Sequence, residues 1–131
     1  MSRVWVTGYR SYELGVFGSQ DPKLLVIKDT LKKLLIGKLE NGMDWLITGG
    51  QLGVEQWAAE VGLALKPDYP ELKLAMMPPF ADFGSNWNEH NRGTYTQPAS
   101  RVDFHQSVSE QPYHGPQQLR NYQEFMLTHT D

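Results

Sequence analysis

A glycine-rich turn is the pattern in this sequence with the clearest chemical meaning. The segment 48–53, TGGQLG, lies between a short apolar β-rich run and a helical pattern. Gly49 and Gly50 can adopt positive φ values and leave backbone N–H groups open, and Gly53 permits close packing where the helix begins. The helix N-terminus adds unpaired N–H donors and partial positive charge, which suit a phosphate or a carboxylate. The turn therefore predicts a nucleotide-type ligand, although a tight turn without any ligand would use the same glycines.

Glu55 lies in the first turn of the helix that follows. An acid at this position is favourable with the helix dipole whatever its function. The alternative is a carboxylate that faces the ligand, where it accepts from a ribose hydroxyl or acts as an acid or base. The segment has neither the G-x-G-x-x-G spacing nor a following G-K-[ST], so neither a dinucleotide fingerprint nor a P-loop is supported.

A second loop occupies the same position after the first predicted strand. Gly8, Tyr9 and Arg10 follow that strand, and parallel strands end at the same edge of their sheet. Arg10 would offer a guanidinium to a phosphate, and Tyr9 would offer an aromatic face to a base. An ordinary surface arginine fits the position of Arg10 equally well.

The segment after the third predicted strand supplies the remaining candidates. Phe80 is expected to pack either on a ligand base or on the following helix, where Trp87 is a natural partner. Residues 86–92 are rich in amides and aromatic rings, and Asn86 is interpreted as the N-cap of that helix or as a ligand contact.

Composition excludes several kinds of chemistry. The 131 residues contain no cysteine, which excludes a disulfide framework, a thiol nucleophile and a cysteine metal site. The histidines do not pair at ligand spacing with one another or with a suitable carboxylate, so no metal site is predicted. They are His90, His105, His114 and His129. A G-x-S-x-G elbow is also absent, which argues against a hydrolase of that type.

Charge and hydropathy limit the classes of partner that are expected. The net charge is −3, and the basic cluster Lys28 to Lys38 has helical spacing typical of a solvated helix face, so nucleic acid is not the expected partner. The N-terminus has no signal-peptide pattern, and no run approaches the ~18 apolar residues of a membrane span. The sequence therefore predicts a cytoplasmic protein without a membrane partner.

Alternating strand and helix patterns position these residues. Strands are predicted at Val4–Thr7, Trp45–Thr48, Leu72–Met77 and Arg101–His105, and helices at Lys23–Leu39, 53–66, from Asn86 and from Pro116. This order predicts right-handed crossovers and an α/β fold, a Rossmann-like three-layer α/β/α arrangement with a mainly parallel sheet. Residues 1–131 are expected to form one domain. The chain stops after a helix where the alternation calls for another strand, so the domain is either unusually small or shortened at its C-terminus.

Taken together, the motifs resemble the YpsA family of Gram-positive bacteria over essentially the whole chain. The resemblance is carried by Thr7–Arg10, Glu13–Gly15, Phe17, Thr48–Trp57, Pro79-Phe80, Asn86-Trp87, Asn91, Pro112-Tyr113, Gln118 and Asn121–Met126. It implies a Rossmann-like member of the SLOG superfamily that binds ADP-ribose, NAD or a similar ligand. It also implies a regulatory role in cell division or stress, with cell-division proteins as partners.

Two departures from related families matter. The phosphoribohydrolases of the superfamily carry P-G-G-x-G-T-x-x-E, and Glu55 does not fall at the matching step from Gly49-Gly50. YpsA-like proteins also continue past the position of Asp131 into a further strand and helix. A sheet shortened there would expose an apolar edge and favour homo-oligomers.

Three functions follow as hypotheses. The leading one is a nucleotide-sensing module whose ligand-binding residues are Gly8, Tyr9, Arg10, Thr48, Gly49, Gly50, Gly53, Glu55, Phe80, Asn86 and Asn91. The rival is an enzyme that cleaves an N-glycosidic or phosphoribosyl bond with Glu55 as its catalytic carboxylate. The third is single-stranded nucleic-acid binding, against which the acidic balance counts.

Overall fold

Four strands and four helices alternate along the chain in the computed structural model, which describes residues 2–131. The strands are β1 (Ser2–Trp5), β2 (Met43–Thr48), β3 (Lys73–Met76) and β4 (Phe104–His105), and the helices are α1 (Pro22–Glu40), α2 (Val54–Leu65), α3 (Glu89–Ala99) and α4 (Pro116–His129). The strands form one sheet in the order β1-β2-β3-β4, and every neighbouring pair is parallel. The predicted α/β class and parallel sheet are confirmed.

The strand register divides the core between two faces of the sheet. Val4, Leu46 and Leu74 lie side by side on β1, β2 and β3, and they pack with Leu35 of α1 and Val61 of α2. This arrangement buries one face under α1 and α2, and α3 lies beside α2.

The opposite face is covered by α4. Trp5, Ile47 and Ala75 occupy the next register positions, and they pack with Met126 and Phe125 of α4. Alternation along each strand therefore produces the predicted three layers. Within residues 2–131, no helix combines the length and the apolar character needed to cross a bilayer.

Local signals explain the ends of the first helix. Asp21 caps α1 by accepting a hydrogen bond from Lys23 N–H at 2.9 Å, and Pro22 occupies the first turn, where its missing N–H costs nothing. Asn41 and Gly42 end the helix, and Gly42 adopts a φ of 96° that favours glycine.

The prediction that Asn86 caps the third helix is wrong. Asn88 is the cap, since its side chain accepts a hydrogen bond from Asn91 N–H at 2.8 Å. Trp87 N–H donates to Gly84 C=O at 3.1 Å in a preceding turn, so the chain becomes helical only at Glu89. The polar composition of residues 86–91 offers several asparagines, and sequence alone does not decide among them.

The first strand also differs from prediction, since it spans Ser2–Trp5 and not Val4–Thr7. The loop after β1 contains a short 3-10 turn, Ser11–Leu14. The strand predicted at Arg101–His105 shortens to β4, because the Asp103 carboxylate accepts Leu74 N–H at 2.8 Å and pairs with Lys66. A side chain thus replaces the backbone partner that a longer strand would have supplied.

Candidate functional site

The loop after β1 and the glycine turn after β2 lie in direct contact. Val54 N–H donates to the Tyr9 carbonyl at 3.2 Å, and a Cβ added at Gly8 would lie 2.8 Å from Val54 Cγ1. Gly53 has a φ of 104°, and a Cβ there would lie 2.5 Å from the same Tyr9 oxygen. Only glycine fits at such a close backbone approach.

The Glu55 carboxylate occupies the centre of this edge. Its Oε1 accepts hydrogen bonds from Gly49 N–H at 3.0 Å and from Gln51 N–H at 3.3 Å. Its Oε2 accepts one from the Thr7 hydroxyl at 3.1 Å. The turn therefore presents several donors to one anionic group, and that group belongs to the protein itself.

Burial raises the pKa of Glu55 above its ordinary value. Hydrogen bonds from Gln51, Thr7 and Gly49, together with the charge of Arg10, act in the opposite direction and offset part of the rise. The net direction is upward, so this carboxyl group keeps its proton to a higher pH than an exposed glutamate. A group held in this way can exchange a proton with a ligand.

The glycine pair is also packed against side chains. Gly50 has a φ of 81°, and a Cβ there would lie 2.5 Å from the ring of Tyr95. A Cβ at Gly49 would lie 2.6 Å from both Glu55 Oε1 and the Tyr122 hydroxyl. Thr48 is buried, and its hydroxyl oxygen accepts Gly50 N–H at 3.2 Å. The N–H groups that the sequence predicts to be open are thus engaged within the turn.

Arg10 and Tyr9 flank the turn on the solvent side. Arg10 N–H donates to Glu13 Oε1 at 2.9 Å, and the guanidinium lies 3.9 Å from the same carboxylate. The Arg10 side chain is 48% exposed and Tyr9 is 66% exposed. Both side chains are accessible to a ligand at this edge.

Phe80 belongs to an aromatic cluster beyond β3. Its ring lies 5.5 Å from Phe83 and 5.0 Å from Tyr113 between centroids. Phe83 continues the cluster to Trp87 at 5.3 Å and to Tyr95 at 6.3 Å. Phe80 is therefore linked to Gly50 through the rings of Phe83 and Tyr95. The sequence offered a ligand base or Trp87 as its packing partner, and in the structure Phe80 packs toward Trp87 through Phe83.

The two predicted asparagines are separated. Asn86 is exposed in the turn before α3, whereas Asn91 lies in the first turn of that helix. Asn91 lines an open cleft of about 360 Å³ beside Gly53. The cleft is bounded by the loop after β1, by α1, by the N-terminal part of α2 and by α3.

Sequence reasoning missed two tyrosines at the edge. The Tyr95 hydroxyl is hydrogen-bonded to His105 Nε2 at 2.7 Å, and burial raises the pKa of Tyr95 to about 12. The Tyr122 hydroxyl and the Trp5 indole nitrogen are buried without a hydrogen-bond partner in residues 2–131. Burial, then the negative charge of Glu55, raises the pKa of Tyr122. The helical spacing of Tyr122 with Met126 predicts its apolar face and carries no signal for its position beside Gly49.

Gln56 was also missed. It is only 4% exposed, and its Nε2 donates to the Gly50 carbonyl at 3.0 Å. Gln56 precedes Ala59 and Leu63 by three and seven residues, and all three are buried on one face of α2. This helical spacing is the signal that could have marked Gln56, since polar residues at core positions usually have hydrogen-bond partners.

Comparison with known proteins assigns the chain to a family. The YpsA model, described as the YspA SLOG family, matches residues 4–131. A UPF0398 protein of Levilactobacillus brevis is 94% identical over 131 residues, which cover 100% of this chain and 69% of that protein. UPF0398 proteins of Lactiplantibacillus plantarum and Latilactobacillus sakei are 64% and 62% identical over 131 residues, which cover 69% and 70% of their lengths.

Proposed function

We propose, since the chain belongs to the YpsA SLOG family, that it binds a nucleotide-derived ligand of the ADP-ribose or NAD type where β1 and β2 end. Membership of the family suggests a nucleotide-related ligand-binding or processing role. The ADP-ribose or NAD class follows from the resemblance to the SLOG superfamily. The donors around Glu55 support the position of the ligand phosphate.

The hydrogen bonds donated to the Glu55 carboxylate are the main observation in support of the proposal. Gly49 N–H, Gln51 N–H and the Thr7 hydroxyl converge on one carboxylate. Carboxylate and phosphate oxygens are acceptors of the same kind, so donors arranged for one also suit the other. In the proposed complex, a ligand phosphate takes the two backbone donors, and the displaced Glu55 carboxylate accepts from a ribose hydroxyl.

Arg10 supplies the balancing charge. Its guanidinium is half exposed, and its charge already acts on the pKa of Glu55. The ion pair with Glu13 is long, at 3.9 Å, and a solvated pair of this kind contributes little to stability. Release of Arg10 to a phosphate therefore costs little, and a bidentate contact becomes available.

A thermal-shift and calorimetric series tests the proposal. ADP-ribose, NAD, AMP and a short oligonucleotide are titrated into the wild type, R10Q and the control R120Q, in which an exposed arginine of α4 is changed. A ligand present at about 100 times its Kd adds about 2.7 kcal/mol to the free energy of unfolding, a shift of several degrees in Tm. We expect R10Q to weaken nucleotide binding and R120Q to leave it unchanged. Absence of a shift with all three nucleotides would refute the proposal, and salt-sensitive binding of the oligonucleotide alone would replace it with nucleic-acid binding.

The raised pKa of Glu55 favours a second candidate function. A partly buried carboxyl group with a raised pKa is a better general acid than an exposed one, and hydrolysis of an N-glycosidic bond requires an acid that protonates the leaving base. Incubation with AMP or NAD, followed by chromatography, would detect released base. Release that disappears in E55Q supports the enzyme; ligand binding without any release leaves the sensing function.

The proposal also includes a regulatory role in cell division or stress, with cell-division proteins as partners. It further includes a homo-oligomer and a cytoplasmic location. Sedimentation with and without ADP-ribose tests the oligomer. A single monomeric species in both samples would remove it.

A further inference from the structure

We propose that the cleft beside Gly53 binds the nucleobase of the ligand, an aromatic heterocycle that carries an exocyclic amino group. The inference rests on the proposed function, because it assigns the base of the same ligand whose phosphate lies at the Glu55 edge. The observations that support it do not involve Glu55. They are a buried amide, an exposed aromatic ring and a tightly paired lysine and glutamate, all on one cleft.

The buried amide belongs to Gln56. Its Nε2 donates to the Gly50 carbonyl at 3.0 Å, and because a carbonyl can only accept, this contact assigns the two ends of the amide. Its Oε1 accepts no hydrogen bond from residues 2–131, and the residue lines the cleft. The side chain is 4% exposed, and the proposal places this acceptor on the cleft side of the residue. The amino group of a base is a donor that would satisfy it.

The aromatic ring is that of Phe17. It lines the cleft and is 82% exposed, an unusual position for a large apolar side chain in a loop. Trp57 lines the same cleft from the buried side and is 9% exposed. A flat heterocycle between these groups would cover apolar surface on both of its faces.

The charges in the cleft favour an uncharged group. Lys28 and Glu60 line it and form an ion pair at 2.8 Å, much shorter than the 3.9 Å pair of Arg10 with Glu13, so Lys28 is the less available of the two cations. A phosphate placed here would compete with Glu60 for the lysine, whereas a neutral base would not. The charged part of the ligand is therefore assigned to the Arg10 side.

The cleft and the Glu55 edge are connected through Gly53. Gly53 lines the cleft, and its missing Cβ allows the backbone of Tyr9, Arg10 and Ser11 to cross directly over it. Ser11 also lines the cleft, so Arg10 lies between the two parts of the site. The cleft volume of about 360 Å³ lies near the lower end of the range of about 300–1,000 Å³ for small-molecule sites, which suits one nucleoside portion.

The test separates base binding from phosphate binding. Calorimetric titrations use ADP-ribose, ribose 5-phosphate, adenosine and purine riboside, which lacks the amino group of adenosine. The variants are F17A, the control Y12A and R10Q. Phe17 and Tyr12 are both exposed, so neither truncation removes core packing. Amide chemical shifts locate each ligand, with Gln56 and Thr94 reporting on the cleft and Gly49 and Gln51 on the edge.

We expect F17A to weaken adenosine and ADP-ribose binding about tenfold and to leave ribose 5-phosphate unchanged. Y12A should match the wild type, and purine riboside should bind about fivefold more weakly than adenosine.

ADP-ribose binding that depends on Arg10 but not on Phe17 overturns the base site and leaves the proposed function in place. Adenosine binding that depends on Phe17, with no added affinity for ADP-ribose and no effect of R10Q, supports the base site and overturns the phosphate site. Equal affinities for adenosine and purine riboside overturn the amino-group contact, and absence of binding by every ligand overturns both proposals.

Discussion

The hydroxyl of Thr7 donates a hydrogen bond to Glu55 Oε2 at 3.1 Å, and this contact connects the end of β1 to the first turn of α2. The two residues are 48 positions apart in the chain. The contact completes the set of donors around the carboxylate and aligns the two loops that form the candidate site.

Removal of this hydrogen bond should cost stability. We expect T7V to lower the free energy of unfolding by about 1 kcal/mol, because a hydrogen bond to a charged acceptor is lost at a partly solvated position. Urea denaturation measures the change. The matched control is T30V on α1, where the hydroxyl bonds only to the Val26 carbonyl of the same helix. A loss in T30V as large as that in T7V would contradict a specific role for the contact with Glu55.

Gly53 should tolerate no side chain. We expect G53A to lower the free energy of unfolding by about 2 kcal/mol or more, because its φ of 104° is strained for alanine and the Cβ would meet the backbone of residues 9–11. G37A is the control, since a Cβ at Gly37 meets nothing within 4 Å near the C-terminal end of α1. Alanine there should stabilise the protein by about 0.5–1 kcal/mol. Chemical denaturation of both variants checks the opposite signs, and equal effects would refute the packing argument.

Glu55 should contribute a specific pH dependence to stability. Burial raises its folded-state pKa above the ordinary value of 4.5, despite the opposing hydrogen bonds from Gln51, Thr7 and Gly49 and the charge of Arg10. The folded protein therefore binds more protons at this group than the unfolded chain does just above pH 4.5. Its contribution is present below the unfolded-state pKa and is lost as the pH rises through the folded-state pKa.

Denaturation of E55Q as a function of pH measures the contribution of Glu55 to the free energy of unfolding. As the pH rises through the folded-state pKa of Glu55, the free energy of unfolding should fall less in E55Q than in the wild type. The control E40Q, which changes an exposed glutamate at the end of α1, should keep the wild-type fall. Superimposable curves for E55Q and the wild type would show that Glu55 titrates in the same way in both states.

The two tyrosines at the glycine pair should respond differently to loss of the hydroxyl. The Tyr122 hydroxyl is buried near the Trp5 indole nitrogen and forms no hydrogen bond of standard geometry within residues 2–131, so Y122F should leave stability unchanged or raise it by about 1 kcal/mol. The Tyr95 hydroxyl is hydrogen-bonded to His105, so Y95F should lower stability by about 0.5–1.5 kcal/mol. Thermal and urea denaturation check the pair. A marked loss in Y122F would mean that its hydroxyl has a stabilising partner.

Local pattern was sufficient for most of the fold. Asp21-Pro22 and Asn41-Gly42 mark the ends of α1 through capping chemistry, and the β-rich run before Gly49 predicts β2. Alternation of such elements predicts parallel strands that end at one edge, where Gly8 and Gly53 are found in neighbouring loops. Where similar residues compete, as Asn86 and Asn88 do for one cap, the local pattern does not identify the choice.

The sequence by itself thus determined the parallel α/β arrangement and the glycine turn at the strand ends, because propensity, periodicity and capping act over a few neighbouring residues. Only the tertiary structure decided that Glu55 accepts the hydrogen bonds of that turn. It alone also decided that Tyr95 packs against Gly50 and Tyr122 against Gly49. It also decided that the Gln56 amide reaches the Gly50 carbonyl beside an open cleft. These contacts depend on strand register and on the rotation of α2, α3 and α4 against the sheet. Such quantities are set by packing between distant segments, and the local sequence around each residue does not contain them.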